Sequence, residues 1–398
     1  MRSLPLTLAL FACSAPLFAQ HLVCYDPAPG GTGTMTEVQL PSIMVFGPVP
    51  PAPIYPIALP LPPFGVALVP PGDATYNGLT NQIWYCNGNI LASMPSPSFP
   101  LAGPAIPPFV IAPAVLAAIG GAVTGIALNP IANVMFLCGP AGLILGVTPV
   151  PGTPVVVPPF GLAFPTGPLT GLDYDSITGT LLAVDAPGMV YQFALGGFPV
   201  APPVGPMILP GIAGDVAIDK TAMPNAAGVR GIYVIAGPLA IDVTFAAALP
   251  MPTATAFPTG LAFLPRPAKN QPTSCNCGAF IPRWSVRAPM ASGQGGFGLL
   301  LGNAPPFTPT LMAFDNIYNP ALPVINFSGC GLGLFLGSPT IQTFFAFTDG
   351  LGNAGWGLPL NFLPPGIGPV YAQAFWTCAA DPTGFALTEV QQIVVTGH

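Results

Sequence analysis

Gly125-Ile126-Ala127-Leu128 decides how this chain is read, because the same line returns at four other places. It appears as Gly65-Val66-Ala67-Leu68, Gly171-Leu172-Asp173-Tyr174, Gly214-Asp215-Val216-Ala217-Ile218 and Gly260-Leu261-Ala262-Phe263. After one longer step the glycines recur with a period in the forties. A repeat of that length made of short apolar strands is the pattern of a β-propeller, not of a helical solenoid. A second apolar strand and a tight turn follow most of these lines. Val134-Met135-Phe136-Leu137-Cys138 runs into Gly139-Pro140, Leu181-Leu182-Ala183-Val184-Asp185 into Ala186-Pro187-Gly188, and Ile83-Trp84-Tyr85-Cys86 into Asn87-Gly88. Asn-Gly is the strongest of the short hairpin turns, since both positions accept positive φ.

The two ends of the repeat are each half a unit. The line at Gly260 has no hairpin after it and runs into Pro265-Arg266-Pro267, while Leu22-Val23-Cys24-Tyr25-Asp26-Pro27 reads as a second strand and turn with no glycine strand before it. Joining them in one sheet explains both defects. The reading is therefore an all-β chain: a five-bladed β-propeller over 20–268, closed by its N- and C-terminal strands. In pattern this part resembles the YncE-like and NHL-like propellers.

From residue 269 the pattern changes. Strand-like stretches at 284–288, 297–301, 310–314, 331–335, 341–347, 370–376 and 390–396, separated by Gly, Pro and Asn turns, read as an antiparallel β-sandwich over 269–398. Gly329-Cys330, Thr348-Asp349-Gly350-Leu351-Gly352-Asn353-Ala354 and Tyr371-Ala372-Gln373-Ala374-Phe375 resemble the C-terminal domains of uncharacterised secreted proteins of planctomycete-type bacteria. The resemblance implies an exported accessory module and assigns it no activity.

Composition supports a folded chain with unusual surfaces. Pro (58) and Gly (48) exceed a quarter of 398 residues, yet 52% of residues are hydrophobic and mean hydropathy is +0.68. Disordered chains are poor in apolar residues, so many short buried strands joined by Pro/Gly turns fit better. Charged residues are only 5%, and none lies between Asp73 and Asp173. Seven Lys and Arg cannot neutralise a phosphate backbone, which excludes nucleic acid as a partner and a basic membrane-surface patch. The uncharged stretch 106–128 is broken by Pro107, Pro108, Pro113, Gly120 and Gly121, so it reads as turn and buried strand and no membrane span is expected.

Residues 1–19 read as a short export leader cut after Ala19, with Leu10-Phe11-Ala12-Cys13 as a competing lipoprotein box. Export to the medium or the outer cell surface agrees with use of the cysteines as disulfides. Cys277 with Cys330 is the first pairing expected and Cys275 with Cys378 the second, although spacing does not fix connectivity. His21 and His398 are the only histidines, so neither a Cys/His metal site nor a histidine-activated serine or cysteine nucleophile is available.

Within the repeated line the small middle residue faces opposite to its neighbours and suits a crowded innermost strand. Asp173 occupies that place in its unit, and Asp215 follows Gly214. These two are the candidate catalytic carboxylates, with Asp185 or Asp242 as further partners, because glycosidases need an acid and a second carboxylate at a set spacing. The other uses of Asp173 are to bind a backbone amide or a water at the channel wall, or a Ca²⁺, hard oxygen being the only ligand type on offer. No other cofactor is expected. Asn129, Asp175 and Asp219 recur at strand ends, where Asn and Asp cap turns. The function expected is an exported, non-enzymatic binding or structural protein in adhesion, matrix or cell-surface interaction, its partner a protein or a surface glycan. A polysaccharide-active or sugar-binding propeller using Asp173 is the alternative.

Overall fold

The computed structural model describes residues 21–26, 34–39, 53–58, 72–96 and 105–397, the last stretch apart from 206–211, 221–230, 251–259, 271–276, 317–325 and shorter gaps. The expected leader and the line at 65–68 lie outside these residues. The chain is all-β, and up to residue 264 its described strands form five antiparallel sheets. Four begin with strands Gly72–Asn77, Gly125–Asn129, Leu169–Asp175 and Ala213–Ile218, each hydrogen-bonded to the hairpin partner that follows it. The fifth pairs strand Gly260–Leu264 with strand His21–Asp26, placing Gly260 opposite Tyr25 and Leu264 opposite His21.

The five leading strands lie side by side in cyclic order. Gly72–Asn77 neighbours Gly125–Asn129, the series continues through Leu169–Asp175, Ala213–Ile218 and Gly260–Leu264, and the last strand returns to the first. Each neighbouring pair of sheets shares a buried apolar cluster. Ile126, Leu137 and Leu145 pack with Trp84 and Leu91 between the sheets that begin at Gly72 and Gly125. Leu182, Val184, Val216 and Val234 fill the space between the next but one pair. A fully buried Leu or Val contributes roughly 1.5–3 kcal/mol, so these interfaces, not local strand propensity, hold the arrangement. The result is β-propeller-like.

The stretch 106–128 holds a strand, Ile106–Val110, a two-turn helix, Pro113–Ile119, and the leading strand Gly125–Asn129. Pro113 starts the helix without losing a hydrogen bond, and Gly120 stops it at φ 99°, a conformation that only glycine adopts freely. No helix among the described residues is long and apolar enough to cross a membrane.

The C-terminal strands form two main sheets. One orders Ala268–Asn270, Val390–Ile393, Val370–Thr377, Pro309–Asp315 and Gln342–Phe347, with Phe385–Leu387 also paired to Val370–Thr377. The other orders Arg283–Val286, Gly298–Gly302 and Ala354–Gly357. Met312, Ala374 and Trp376 of the first face Trp284, Leu299 and Trp356 of the second across a common core. That core is continuous with Tyr25, Met35, Tyr76 and Tyr85, and the Gly397 amide donates to the Lys220 carbonyl at 2.7 Å. The C-terminal unit is thus packed on the ring of sheets.

Cys277 is bonded to Cys378, which corrects both expected pairings: Cys277 is not joined to Cys330, nor Cys275 to Cys378. Cys277 lies in a tight bridge with Phe280, and Cys378 just follows the long strand Val370–Thr377, so the bond ties the start of the unit to its centre. Cys330 lies on the short strand Cys330–Gly331, and Cys275 is outside the described residues.

Candidate functional site

The recurring glycine is a packing residue. A Cβ on Gly125 would stand 2.9 Å from the Gly171 Cα and 2.7 Å from Cys138 Sγ, and one on Gly260 would stand 2.8 Å from the Ala74 nitrogen. A Cβ on Gly171 would collide with the Asp215 Cα and carboxylate. Gly125, Gly171 and Gly260 therefore share one level of the ring, and Asp73 and Asp215 take the same level on the other two strands. Sequence reading placed the first line at Gly65; the strand in that place is Gly72–Asn77, which brings in Asp73, a residue it did not select. The available signal was the dipeptide Gly72-Asp73, which repeats Gly214-Asp215.

Asp73 and Asp215 are both 0% exposed and use their oxygens in the same way. Asp73 Oδ1 accepts from the Ala74 amide at 2.6 Å and Oδ2 from the Ile126 amide, on the next leading strand, at 2.5 Å. Asp215 Oδ1 accepts from the Val216 amide at 2.6 Å and Oδ2 from Leu261, again on the next strand, at 2.6 Å. Each carboxylate is a staple between neighbouring sheets.

The two carboxyl groups also interact with each other and titrate as a pair. Burial raises the Asp73 pKa to about 7, against the lowering effects of the Asp215 hydrogen bond and the Ile126 and Ala74 amides. Burial, then repulsion from Asp73 and the hydrogen bond its proton makes, holds Asp215 well above the carboxylate range. Two carboxylates taken out of water cannot both ionise cheaply, so the pair keeps a proton. Burial likewise pushes the thiols of Cys86 and Cys138, next to Asp73, upward.

Asp173 is placed differently. Its Oδ1 accepts from the Tyr174 amide and from Lys220 Nζ, both at 2.8 Å, and its Oδ2 from the Ile218 amide on the next strand at 2.8 Å. Lys220 Nζ also donates to the Tyr174 carbonyl. Asp173 and Lys220 are each 5% exposed. The two catalytic candidates are therefore not a pair: Asp215 is joined to Asp73, and Asp173 to Lys220. Neither carboxylate opens on solvent, and each is committed to backbone amides. Chemically this is a set of buried crosslinks. Lys220, which sequence reading did not select, lies beyond a strand that gives no cue to its ion pair.

The other singled-out residues serve turns and strands. Asn129 Oδ1 accepts from Ala132, and Asp175 from the Ile177 amide and the Thr178 hydroxyl. Asp185 takes the Met189 amide and the Tyr191 hydroxyl, both at 2.8 Å. Gln373 donates to the Thr388 carbonyl at 2.8 Å, and Asp349 caps its own turn through Leu351 and Asn353. Among the described residues no three His, Cys, Asp or Glu side chains gather to hold a metal ion.

No protein-family model and no curated protein matches the chain. Among solved structures, Saccharomyces cerevisiae Sqt1 is similar over 56% of this chain and 67% of its own, at 13% identity and a TM-score of 0.31. Likeness at that level carries no inference about binding or activity. What is said of this chain rests on its own strand pairing and side-chain geometry.

Proposed function

We propose that the chain is an exported, non-enzymatic binding or structural protein. In this reading five blades form a propeller, closed where His21–Asp26 pairs with Gly260–Leu264, in the pattern of the YncE-like and NHL-like propellers. The C-terminal sandwich is its accessory module, and the protein acts in adhesion, matrix or cell-surface interaction through a protein or glycan partner. The observation that carries the reading is the use of the inner carboxylates. Asp73, Asp173 and Asp215 spend their oxygens on amides of their own and the next strand, which supports a rigid scaffold and leaves no exposed acid–base pair.

A chain with 5% charged residues has little means of electrostatic steering, so contact with a partner rests on shape, polar backbone and apolar side chains. Exposed Val155, Val156, Phe345 and Phe347 are of the right kind. The test is adsorption of the purified protein to the surface of the cells that produce it, at about 50 mM and about 500 mM NaCl. Salt screens charge contacts over this range while leaving apolar ones intact. Adsorption unchanged within about twofold is expected; a steep loss with salt, or no adsorption at all, overturns the reading.

A further inference from the structure

We propose that two copies of this chain associate edge to edge through the strand Gln342–Phe347, as a two-fold dimer. The strand reads Gln-Thr-Phe-Phe-Ala-Phe and lies at the edge of the larger C-terminal sheet. One side pairs with Pro309–Asp315, from Phe347 opposite Pro309 to Gln342 opposite Phe314. Among the described residues no strand pairs with its other side, and every residue except the half-buried Ala346 is exposed. Opposite residues share a face, so Phe345 lies with Leu311 on the side away from the core that Met312 and Phe314 enter. Phe345 and Phe347, 61% and 63% exposed, meet there edge to face at 5.0 Å.

A free edge is a row of unpaired amides and carbonyls, and proteins blunt such edges with proline, charge, short strands or a covering segment. This chain does so elsewhere. The outer strands Pro53–Ala58, Ile106–Val110, Val155–Gly161 and Ala247–Pro250 of the ring each contain proline. Val190–Ala194 is covered by bridges from Val190 to Val204 and from Phe193 to Pro199. In the C-terminal unit, Ala268–Asn270 is short and holds Lys269, Arg283–Val286 holds Arg283, and Ala354–Gly357 is short and holds two glycines. Gln342–Phe347 has none of these devices. A second copy is the occupant it fits. A two-fold axis normal to the sheet sets the strand antiparallel to itself and keeps both outer faces on one side, which gathers Phe345 and Phe347 of both copies into one cluster. The strand carries no charge, so two chains of net charge -6 meet there without local repulsion. At about 200 Å² per Phe side chain, the exposed side chains of both strands amount to about 1,000 Å², the size at which specific interfaces begin. That size suits a reversible dimer with a Kd on the order of 10 µM.

Sedimentation of the purified protein from about 1 to about 200 µM should pass from monomer to dimer and stop there. Over the same range hydrogen exchange at residues 342–347 should slow at least about fivefold, since paired amides exchange only when the strands part. Phe345→Lys and Thr343→Lys, which set like charges near each other across the axis, should each weaken the dimer at least about tenfold. Ile131→Lys, on an exposed turn of the ring, should leave it within about twofold. A monomer at about 200 µM overturns the proposal and leaves the edge to a strand of another protein. So does growth beyond the dimer, a dimer undiminished in both strand variants, or exchange at 342–347 that does not change with concentration. Exchange is read on the unmodified chain, so the outcome does not depend on how either variant folds. The measurement needs no cells, and its failure is separate from a failure of the adsorption expected above.

Discussion

Replacing Asp73 by Asn should change how stability depends on pH more than it changes stability at any one pH. The native state holds a proton on Asp73 up to about pH 7, whereas the unfolded chain releases it near 3.8. Where the native state binds more protons than the unfolded, stability falls as pH rises. One proton difference is worth about 1.4 kcal/mol per pH unit, so this group removes about 4 kcal/mol between pH 4 and pH 7. Asn cannot titrate. It keeps one acceptor and turns its NH₂ toward either the Ala74 or the Ile126 amide, leaving a donor facing a donor at a cost of about 1–3 kcal/mol. The variant should therefore be weaker by that amount near pH 4 and equal or stronger above pH 7. In the variant Asp215 loses the repulsion and the hydrogen bond of Asp73, which lowers its pKa and adds to the same trend, while groups remote from the pair titrate in both proteins and cancel in the difference. Urea denaturation followed by near-UV circular dichroism, at steps from pH 4 to pH 8, gives that difference directly. If it stays constant across the window, Asp73 is not the buried, proton-holding group described here.

Lys220→Met should destabilise by about 3–5 kcal/mol, because Asp173 is left as a buried unpaired charge, and adding Asp173→Asn should recover much of the loss; urea midpoints of the single and double variants check this. Gly171→Ala should cost at least about 1–3 kcal/mol or prevent folding, since the added carbon meets the backbone of Asp215, whereas the same change at Gly152, open to solvent, should cost only the strain of its positive φ. Reducing the Cys277–Cys378 bond, which spans 101 residues, should remove about 2–5 kcal/mol from the C-terminal unit, read as a lowered thermal midpoint in dithiothreitol.

The strand repeat and its turns were legible because they are local. Gly125-Ile126-Ala127-Leu128 carries its own period and Asn87-Gly88 its own turn, and backbone sterics act over a few residues. The pairing of His21–Asp26 with Gly260–Leu264 was legible too, since each end lacked the half that the other held. The line at Gly65 shows the limit. Gly65-Val66-Ala67-Leu68 matches the repeat better than Gly72-Asp73-Ala74-Thr75, yet the second forms the leading strand, where Asp73 accepts from the Ile126 amide of the neighbouring strand, a contact far off along the chain.

By itself the sequence determined the all-β class, the sheet-by-sheet period, the shift of pattern near residue 269 and the scarcity of charge. These follow from composition and from patterns within a few residues of one another. Only the tertiary structure decided that Asp215 meets Asp73, that Asp173 joins Lys220 and that Cys277 takes Cys378. Each of those is a meeting of groups far apart along the chain or carried on different strands. Burial there sets the energy, and no run of residues records it.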